Sequence, residues 1–314
     1  MTKIDGNTGT AGLLGYPVKH TKSPMIHNTL AEAYGDNLVY LPFEVEPGAL
    51  GDAIRGAWAL GVLGLNVTVP HKQAVMEYLT RIDPLAKALG AVNTLVREED
   101  GFAGYNTDIL GLEQALIRAD IGVEGEKVLI LGAGGAARAA AFLALKMGAR
   151  EILIANRSLD KAEDLAQSLM QSAKSCDIIP QKVGRMHAQD GQTDIRAITL
   201  TELADGCRGG KDAEYLAFQC TSVGLSPHDT DCVLAGETES IFSMIQTGVD
   251  LIYKPAETMF MKKLMSDGKR AINGLDMLLY QGVIAYELWR GSYKGEIETD
   301  RQVLDRIREL LRGD

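Results

Sequence analysis

Cysteine is scarce in this sequence. Four residues, Cys176, Cys207, Cys220 and Cys232, show no Cys-x-x-Cys spacing, which argues against a disulfide framework or a structural zinc site and leaves buried reduced thiols as the expectation. The five histidines are scattered, and only His71 falls near a candidate site, where a wall or turn residue is a better reading than a metal ligand. No metal is expected. Positive charge is also short: 32 Lys and Arg face 42 Asp and Glu, a formal net charge of −10, and no strongly basic stripe offsets it. General binding to a phosphate backbone, and with it nucleic acid as a partner, is therefore not expected. No apolar run is long enough to cross a membrane, and the polar residues 1–5 carry no apolar signal core. The expectation is a cytoplasmic enzyme with no membrane partner. Internal repeats and low-complexity tracts are missing too.

What remains is an ordinary globular composition, 46% hydrophobic and 24% charged, and a length that supports two domains with a core each. The most informative stretch is Asn66-Val67-Thr68-Val69-Pro70-His71-Lys72. The apolar run 62–65 and the alternation of Val67 and Val69 with polar neighbours read as a strand that Pro70 stops. Lys72 thus arrives at a strand-to-helix junction, where its ammonium can give a proton to a carbonyl oxygen or, once neighbours tune it, take one from an alcohol. Asn66 and Thr68, two apart on a strand, project to one face and can hydrogen-bond a polyol. A surface lysine after a proline turn is the blander reading, and company elsewhere in the chain has to decide.

An apolar strand over 11–15 leads to the polar loop 16–24 and a helix in which Ser23 is expected as N-cap and Pro24 as the first helical residue. Free N–H groups at that helix start, with the hydroxyls of Thr21 and Ser23, would receive a carboxylate; a plain cap accounts for Ser23-Pro24 nearly as well. A strand over 39–43, a helix over 49–60, the 63–69 strand, helical turns over 74–79 and 84–89 and a strand over 92–96 give a β-α-β-α-β pattern. It reads as a largely parallel α/β sheet, with Asn93 as a hydrogen-bonding group at its edge. After a short turn and strand, 101–104, Asn106-Thr107-Asp108 opens a helix over 109–118. An acidic residue in a first turn is common for dipole reasons alone.

A polar, glycine-bearing linker, 122–127, precedes a second pattern. The apolar strand 127–131 runs into Gly132-Ala133-Gly134-Gly135-Ala136-Ala137 and an alanine-rich helix to residue 147, and another apolar strand follows over 151–155. This is the Gly-x-Gly-x-x-Gly/Ala fingerprint in its strand-turn-helix setting. Gly132 would make the tight turn, Gly134 would let backbone approach a pyrophosphate, and Ala137 would allow close helix packing. One absence is again informative. The second strand lacks the Asp or Glu that an NAD site places on the ribose hydroxyls, and ends in Asn156-Arg157-Ser158, with Lys161 after it. Guanidinium, hydroxyl and ammonium suit a 2′-phosphate and favour NADP over NAD; a solvated helix start capped by Ser158 would use the same residues. Further strands are expected over 196–199, 215–219, 249–253 and 270–272. Helices are expected over 201–204, 257–265, from 275 through Gln281, and from 299.

Together these motifs resemble the shikimate dehydrogenase family, over nearly the whole chain from Gly15 to Gln281. The matching stretches are 15–24, Asn66 to Lys72, Ala91-Val92-Asn93-Thr94, Asn106-Thr107-Asp108, the glycine fingerprint, Asn156-Arg157-Ser158, 250–255 and 274–281, in the family's order. The resemblance implies reversible, NADPH-dependent reduction of 3-dehydroshikimate to shikimate, a step of aromatic amino acid biosynthesis. It implies Lys72 as acid/base paired with Asp108, Asn66, Thr68, Asn93 and Gln281 on ring hydroxyls, and Thr21, Ser23 and Tyr253 on the carboxylate. Gly132, Ala133, Gly134, Gly135, Ala136, Asn156, Arg157, Ser158, Lys161, Thr221, Leu251 and Gly274 would line NADP, with NAD the alternative. It further implies an N-terminal α/β substrate-binding catalytic domain, 1–108, to which 275–314 return through a C-terminal helix, and a Rossmann NADP-binding domain, 109–274. Hydride transfer would occur in the cleft between them, in a monomer or homodimer.

Two positions depart from the family pattern. Thr21 stands where serine is usual, which bears on substrate preference, and Gln219 stands where asparagine is usual, on the cofactor side. Residues 176–199 match no part of the pattern. A quinate/shikimate dehydrogenase using NAD or NADP shares every catalytic residue, and a non-catalytic ligand sensor shares the fold. The presence of both Lys72 and Asp108 argues against the sensor, because a pure binder has no use for a proton donor.

Overall fold

The computed structural model describes residues 4–175, 193–208 and 214–313. It divides into two compact units, Met1–Gly111 with Leu278–Asp314, and Leu112–Met277. The unmatched stretch 176–192 lies outside the described residues.

The first unit opens with β1 (Gly9–Gly15), α1 (Ser23–Tyr34), β2 (Leu38–Glu44), α2 (Leu50–Ala59) and β3 (Gly64–Val67). It continues with β4 (Arg81–Ile82), α3 (Pro84–Leu89), β5 (Thr94–Glu98), β6 (Gly101–Tyr105) and the start of α4 (Thr107–Arg118). The strands form one six-stranded sheet in the order β2-β1-β3-β5-β6-β4. The expectation of a largely parallel sheet needs correction: β1 runs parallel to β2 and β3, and β4 to β6, but β5 is antiparallel to both β3 and β6. Only Glu99 and Asp100 separate β5 from β6, and so short a turn joins antiparallel strands, whereas parallel neighbours need a crossover of a dozen residues or more. At the other edge, β2 carries Pro42, which has no N–H to offer a further strand. Leu14, Leu65, Val67, Val92, Leu95 and Phe102 fill the core beneath the sheet.

A second correction concerns Ser23, which is the first residue of α1 and not its cap. Lys22 before it already has right-handed helical backbone, and the hydroxyl that takes the Ser23 N–H is Thr21 Oγ1, at 3.2 Å.

The second unit holds β7 (Lys127–Leu131), α5 (Gly135–Lys146), β8 (Glu151–Asn156), α6 (Leu159–Ser175), β9 (Asp194–Thr199) and α7 (Leu200–Arg208). After β10 (Tyr215–Gln219) come β11 (Ile245–Asp250), α8 (Met259–Ser266) and β12 (Arg270–Ile272). All pairs are parallel, in the order β12-β11-β10-β7-β8-β9. A parallel sheet is covered on both faces, which is why Val128, Leu129, Ile130 and Leu131 are all fully buried and read as an unbroken apolar run. The chain goes to opposite sides of β7 to form β8 and β10, so a crevice opens at the carboxyl ends of these strands, the usual ligand position in such sheets. The strand expected over 249–253 lies earlier, ending at Asp250, because the Asp250 carboxylate accepts the Ile252 N–H at 3.0 Å and turns the chain out of the ladder.

The chain closes with α9 (Leu275–Trp289) and α10 (Arg301–Gly313). Trp289 Nε1 donates to the Leu95 carbonyl of β5 at 2.9 Å, which ties the C-terminal helix to the first sheet. α10 buries Leu304, Ile307 and Leu311, an i, i+3, i+7 stripe, and leaves its other faces to solvent. Among the described residues no helix is long and apolar enough to cross a membrane, and no cluster of three or more side chains could hold a metal ion.

Candidate active site

Lys72 follows β3 through a turn closed by the His71 N–H on the Thr68 carbonyl, at 2.9 Å. His71 is a wall of that turn: its ring is buried, with Nε2 2.7 Å from the Val45 carbonyl. The Lys72 carbonyl accepts the Val92 N–H at 2.8 Å. Asp108 sits in the first turn of α4, which two asparagines hold. Asn106 Oδ1 accepts the Ile109 N–H at 3.2 Å while its Nδ2 donates to the Ala91 carbonyl at 2.9 Å, and Asn93 Oδ1 accepts the Thr107 N–H at 2.7 Å. The segment 91–93 therefore anchors both the Lys72 backbone and the Asp108 turn. The result is an ion pair, Lys72 Nζ to Asp108 Oδ2, of 2.7 Å, with the two side chains 31% and 19% exposed. The ammonium is held, yet a solute can reach it.

Around this pair the first unit is built of buried amides and hydroxyls. Asn66 Oδ1 accepts the Tyr40 hydroxyl at 2.8 Å, and its Nδ2 donates to Thr94 Oγ1 at 3.2 Å. Tyr40 stacks on His27, ring centroids 4.2 Å apart. Burial pushes the Tyr40 phenol up and the His27 imidazole down to about 3, so both stay neutral at pH 7. Thr68 is half-buried with its methyl against Gly15, at the entry to the 16–24 loop. In that loop Thr21 Oγ1 donates to Ser23 Oγ at 3.1 Å. Gln281, half-buried on α9, donates from Nε2 to the Leu278 carbonyl of its own helix at 2.9 Å. Lys72, Asp108, Thr21, Ser23, Asn66, Thr68, Asn93 and Gln281 thus share the first unit, whereas Tyr253 belongs to the second, in the turn after β11.

In the second unit Gly132 makes the turn after β7 with φ of +111°, a conformation that side chains with a Cβ rarely adopt. Gly134 and Gly135 are exposed, and a Cβ on either would meet nothing within 4 Å. α5 begins there with Gly134 as its cap and no side chain bonded to its first N–H groups. Open N–H donors at a helix start, with space in front, fit the pyrophosphate of a dinucleotide. Ala133 and Ala136 flank this turn, and Ala137 is fully buried under it. At the end of β8 Asn156 Nδ2 donates to the Ser158 carbonyl at 3.0 Å. Arg157 and Lys161 are exposed, and Arg157 has no carboxylate partner among the described residues. A doubly charged phosphate would supply one.

The carboxyl ends of β10, β11 and β12 complete the crevice. Gln219, fully buried, closes the turn after β10: its Oε1 accepts the Thr221 N–H and hydroxyl at 2.6 and 2.8 Å, and its Nε2 donates to the Val223 carbonyl at 3.0 Å. The Leu251 N–H donates to the Gln219 carbonyl at 3.0 Å. Gly274 approaches the Leu251 carbonyl so closely that any Cβ would clash. Asp250, fully buried, accepts the Thr258 hydroxyl at 2.6 Å and the Ile252 N–H; burial pushes its carboxyl up to about 6 against the pull of those two bonds. Sequence reasoning missed the parts played by Tyr40, Thr94, Asn106 and Asp250. Only Asn106, an asparagine just ahead of a helix, carried a local signal.

Family models match along the chain: the shikimate dehydrogenase substrate binding domain over residues 13–95, shikimate/quinate 5-dehydrogenase over 113–189, and the shikimate 5′-dehydrogenase C-terminal domain over 274–304. The sequence is 39% identical over 308 residues to a shikimate dehydrogenase (NADP(+)) of Moorella thermoacetica, covering 98% of this chain and 95% of that one. The fold is similar to a shikimate dehydrogenase crystallised with NADP+, at 34% identity and a TM-score of 0.79 over 98% and 97% of the two chains. It is equally similar to shikimate 5-dehydrogenase of Listeria monocytogenes in complex with shikimate and NAD, at 29% identity and a TM-score of 0.80 over 99% of each.

Proposed function

The chain belongs to the shikimate dehydrogenase family, and from that premise we propose which of its residues carry the reaction. It is an NADP-dependent oxidoreductase that interconverts 3-dehydroshikimate and shikimate. When bound, NADPH supplies the hydride that reduces the carbonyl carbon. Negative charge then develops on the carbonyl oxygen, and Lys72, protonated and aimed by Asp108, gives that oxygen a proton. In the reverse direction neutral Lys72 takes the proton from the hydroxyl. Asn66, Thr68, Asn93 and Gln281 hydrogen-bond ring hydroxyls, Asn93 also steadying the helix start that carries Asp108, and the Thr21 and Ser23 hydroxyls at the start of α1 receive the carboxylate. In the second unit the 132–136 turn takes the pyrophosphate and Asn156, Arg157, Ser158 and Lys161 take the 2′-phosphate, with Thr221, Leu251 and Gly274 along the remaining edge. The enzyme works in the cytoplasm, as a monomer or homodimer.

One observation carries this reading: the 2.7 Å Lys72–Asp108 pair, partly open to solvent and surrounded by hydrogen-bonding groups. General acid/base assistance is worth on the order of 10²–10⁴-fold. Lys72→Ala is expected to lose at least the lower end of that range in kcat, while NADPH binding, followed by nucleotide fluorescence, stays as in the parent. Retention of most of kcat would remove Lys72 from the mechanism.

A further inference from the structure

Thr94 ends the Ala91-Val92-Asn93-Thr94 stretch, and the chemistry above gives it nothing to do. It is fully buried, so it does not meet substrate. Its hydroxyl has three neighbours: Asn66 Nδ2 at 3.2 Å, Thr107 Oγ1 at 2.9 Å and Asn93 Oδ1 at 3.1 Å. A hydroxyl has one proton to give and two lone pairs. Donating to Asn93 Oδ1 and accepting from Asn66 and Thr107 uses all three.

Each neighbour leads to a different part of the site. Asn66 is held on its other side by the Tyr40 hydroxyl, so its amide sits between two fixed hydroxyls. Asn93 Oδ1 also accepts the Thr107 N–H at 2.7 Å, and Thr107 directly precedes Asp108, the partner of Lys72. We propose that Thr94 is a positioning residue that locks the substrate-reading amide of Asn66 to the first turn of α4, and through that turn to the Lys72–Asp108 pair. The inference rests on the roles given above to Lys72, Asp108 and Asn66. Valine at this position has nearly the shape of threonine but turns a methyl toward three polar groups in a dry interior, each of which then loses one of its hydrogen-bond partners. The Asn66 amide and the α4 turn then lose the one hydroxyl that bonds to both, and only the longer Asn66 Nδ2 to Asn93 carbonyl contact, at 3.4 Å, still links them through Asn93. A displacement of about 1 Å at reacting groups can cost ~100-fold in rate.

The test compares Thr94→Val with Thr94→Ser, in the full-length enzyme, by kcat, both KM values and thermal midpoint. Thr94→Val is expected to lose at least about tenfold in kcat/KM for shikimate, with KM for NADP within about twofold of the parent, and Thr94→Ser to recover most of the loss. A merely structural role would lower the thermal midpoint of the valine variant yet leave kcat and KM of the folded protein unchanged. A loss below tenfold in Thr94→Val, or a serine variant as impaired as the valine one, overturns the proposal. Should the valine variant not fold, Thr94→Cys takes its place, keeping the size while weakening the hydrogen bonds; a loss of tenfold or more supports the proposal and a smaller loss overturns it. Failure of the underlying mechanism is read separately, from a Lys72→Ala enzyme that retains its kcat.

Discussion

At the level of one side chain, Arg157 is the residue proposed to decide cofactor choice. It stands in solvent at the end of β8, where an acidic residue would instead hold ribose hydroxyls. A charge-assisted hydrogen bond to a phosphate is worth roughly 1.5–3 kcal/mol. Arg157→Ala should therefore raise KM for NADP by about one to two orders of magnitude and leave whatever activity the parent has with NAD unchanged. Equal losses with both nucleotides would assign Arg157 a structural part instead. Thr21 is the matching proposal on the substrate side. Its Oγ1 accepts the Ser23 N–H and donates to the Ser23 hydroxyl, which holds that oxygen at the start of α1. If the Thr21 methyl faces the substrate, it offers no hydrogen bond to the extra hydroxyl that distinguishes quinate from shikimate, and burying a hydroxyl against it is costly. Quinate turnover should rise in Thr21→Ser, measured as kcat/KM with shikimate as the control; an unchanged quinate rate would place the methyl outside the substrate pocket.

Among the elements, β11 carries the clearest pH signature. The Asp250 carboxyl has its pKa raised from 3.8 to about 6 by burial, the hydrogen bonds from Thr258 and Ile252 opposing the rise. A carboxyl whose folded pKa is raised binds its proton more tightly in the folded state, so its contribution to stability is complete below about pH 4 and lost as pH rises through about 6, at roughly 1.4 kcal/mol per pH unit inside that window. Asp250→Asn should remove this fall. Urea unfolding at a series of pH values, parent against variant, reads it as a difference that grows with pH and levels off above 6; a difference independent of pH would contradict it. Elements of this kind also show what the sequence alone can convey. β7, α5 and β8 were legible because their signals are local: an unbroken apolar run, glycines at a turn, a second run at the right distance. The hairpin between β5 and β6 was less so, since Glu99 and Asp100 form a turn without the usual Asn-Gly or Asp-Gly pair at its centre. Least legible was the packing around Asp108. Asn93, Thr94, Asn106 and Thr107 are polar residues at the edges of elements, and only the folded sheet, which pairs Asn66 with Thr94 across β3 and β5, reveals that their groups answer one another.

At the scale of the whole molecule, each unit has its own sheet and its own core, and each is proposed to bear a separate half of the chemistry: a proton donor among hydroxyl-binding groups in the first, an open glycine turn with a solvent-facing arginine in the second. The order of motifs along the chain points to both halves because each motif rests on local residue types. The reading of substrate preference rests on one position, Thr21, and that of cofactor preference on 156–161. The most direct test of the account is a set of initial rates for the purified protein with shikimate and with quinate, each in the presence of NADP and of NAD. The account predicts the highest kcat/KM for shikimate with NADP; no oxidation of shikimate with NADP, or a higher value for quinate with NAD, would contradict it.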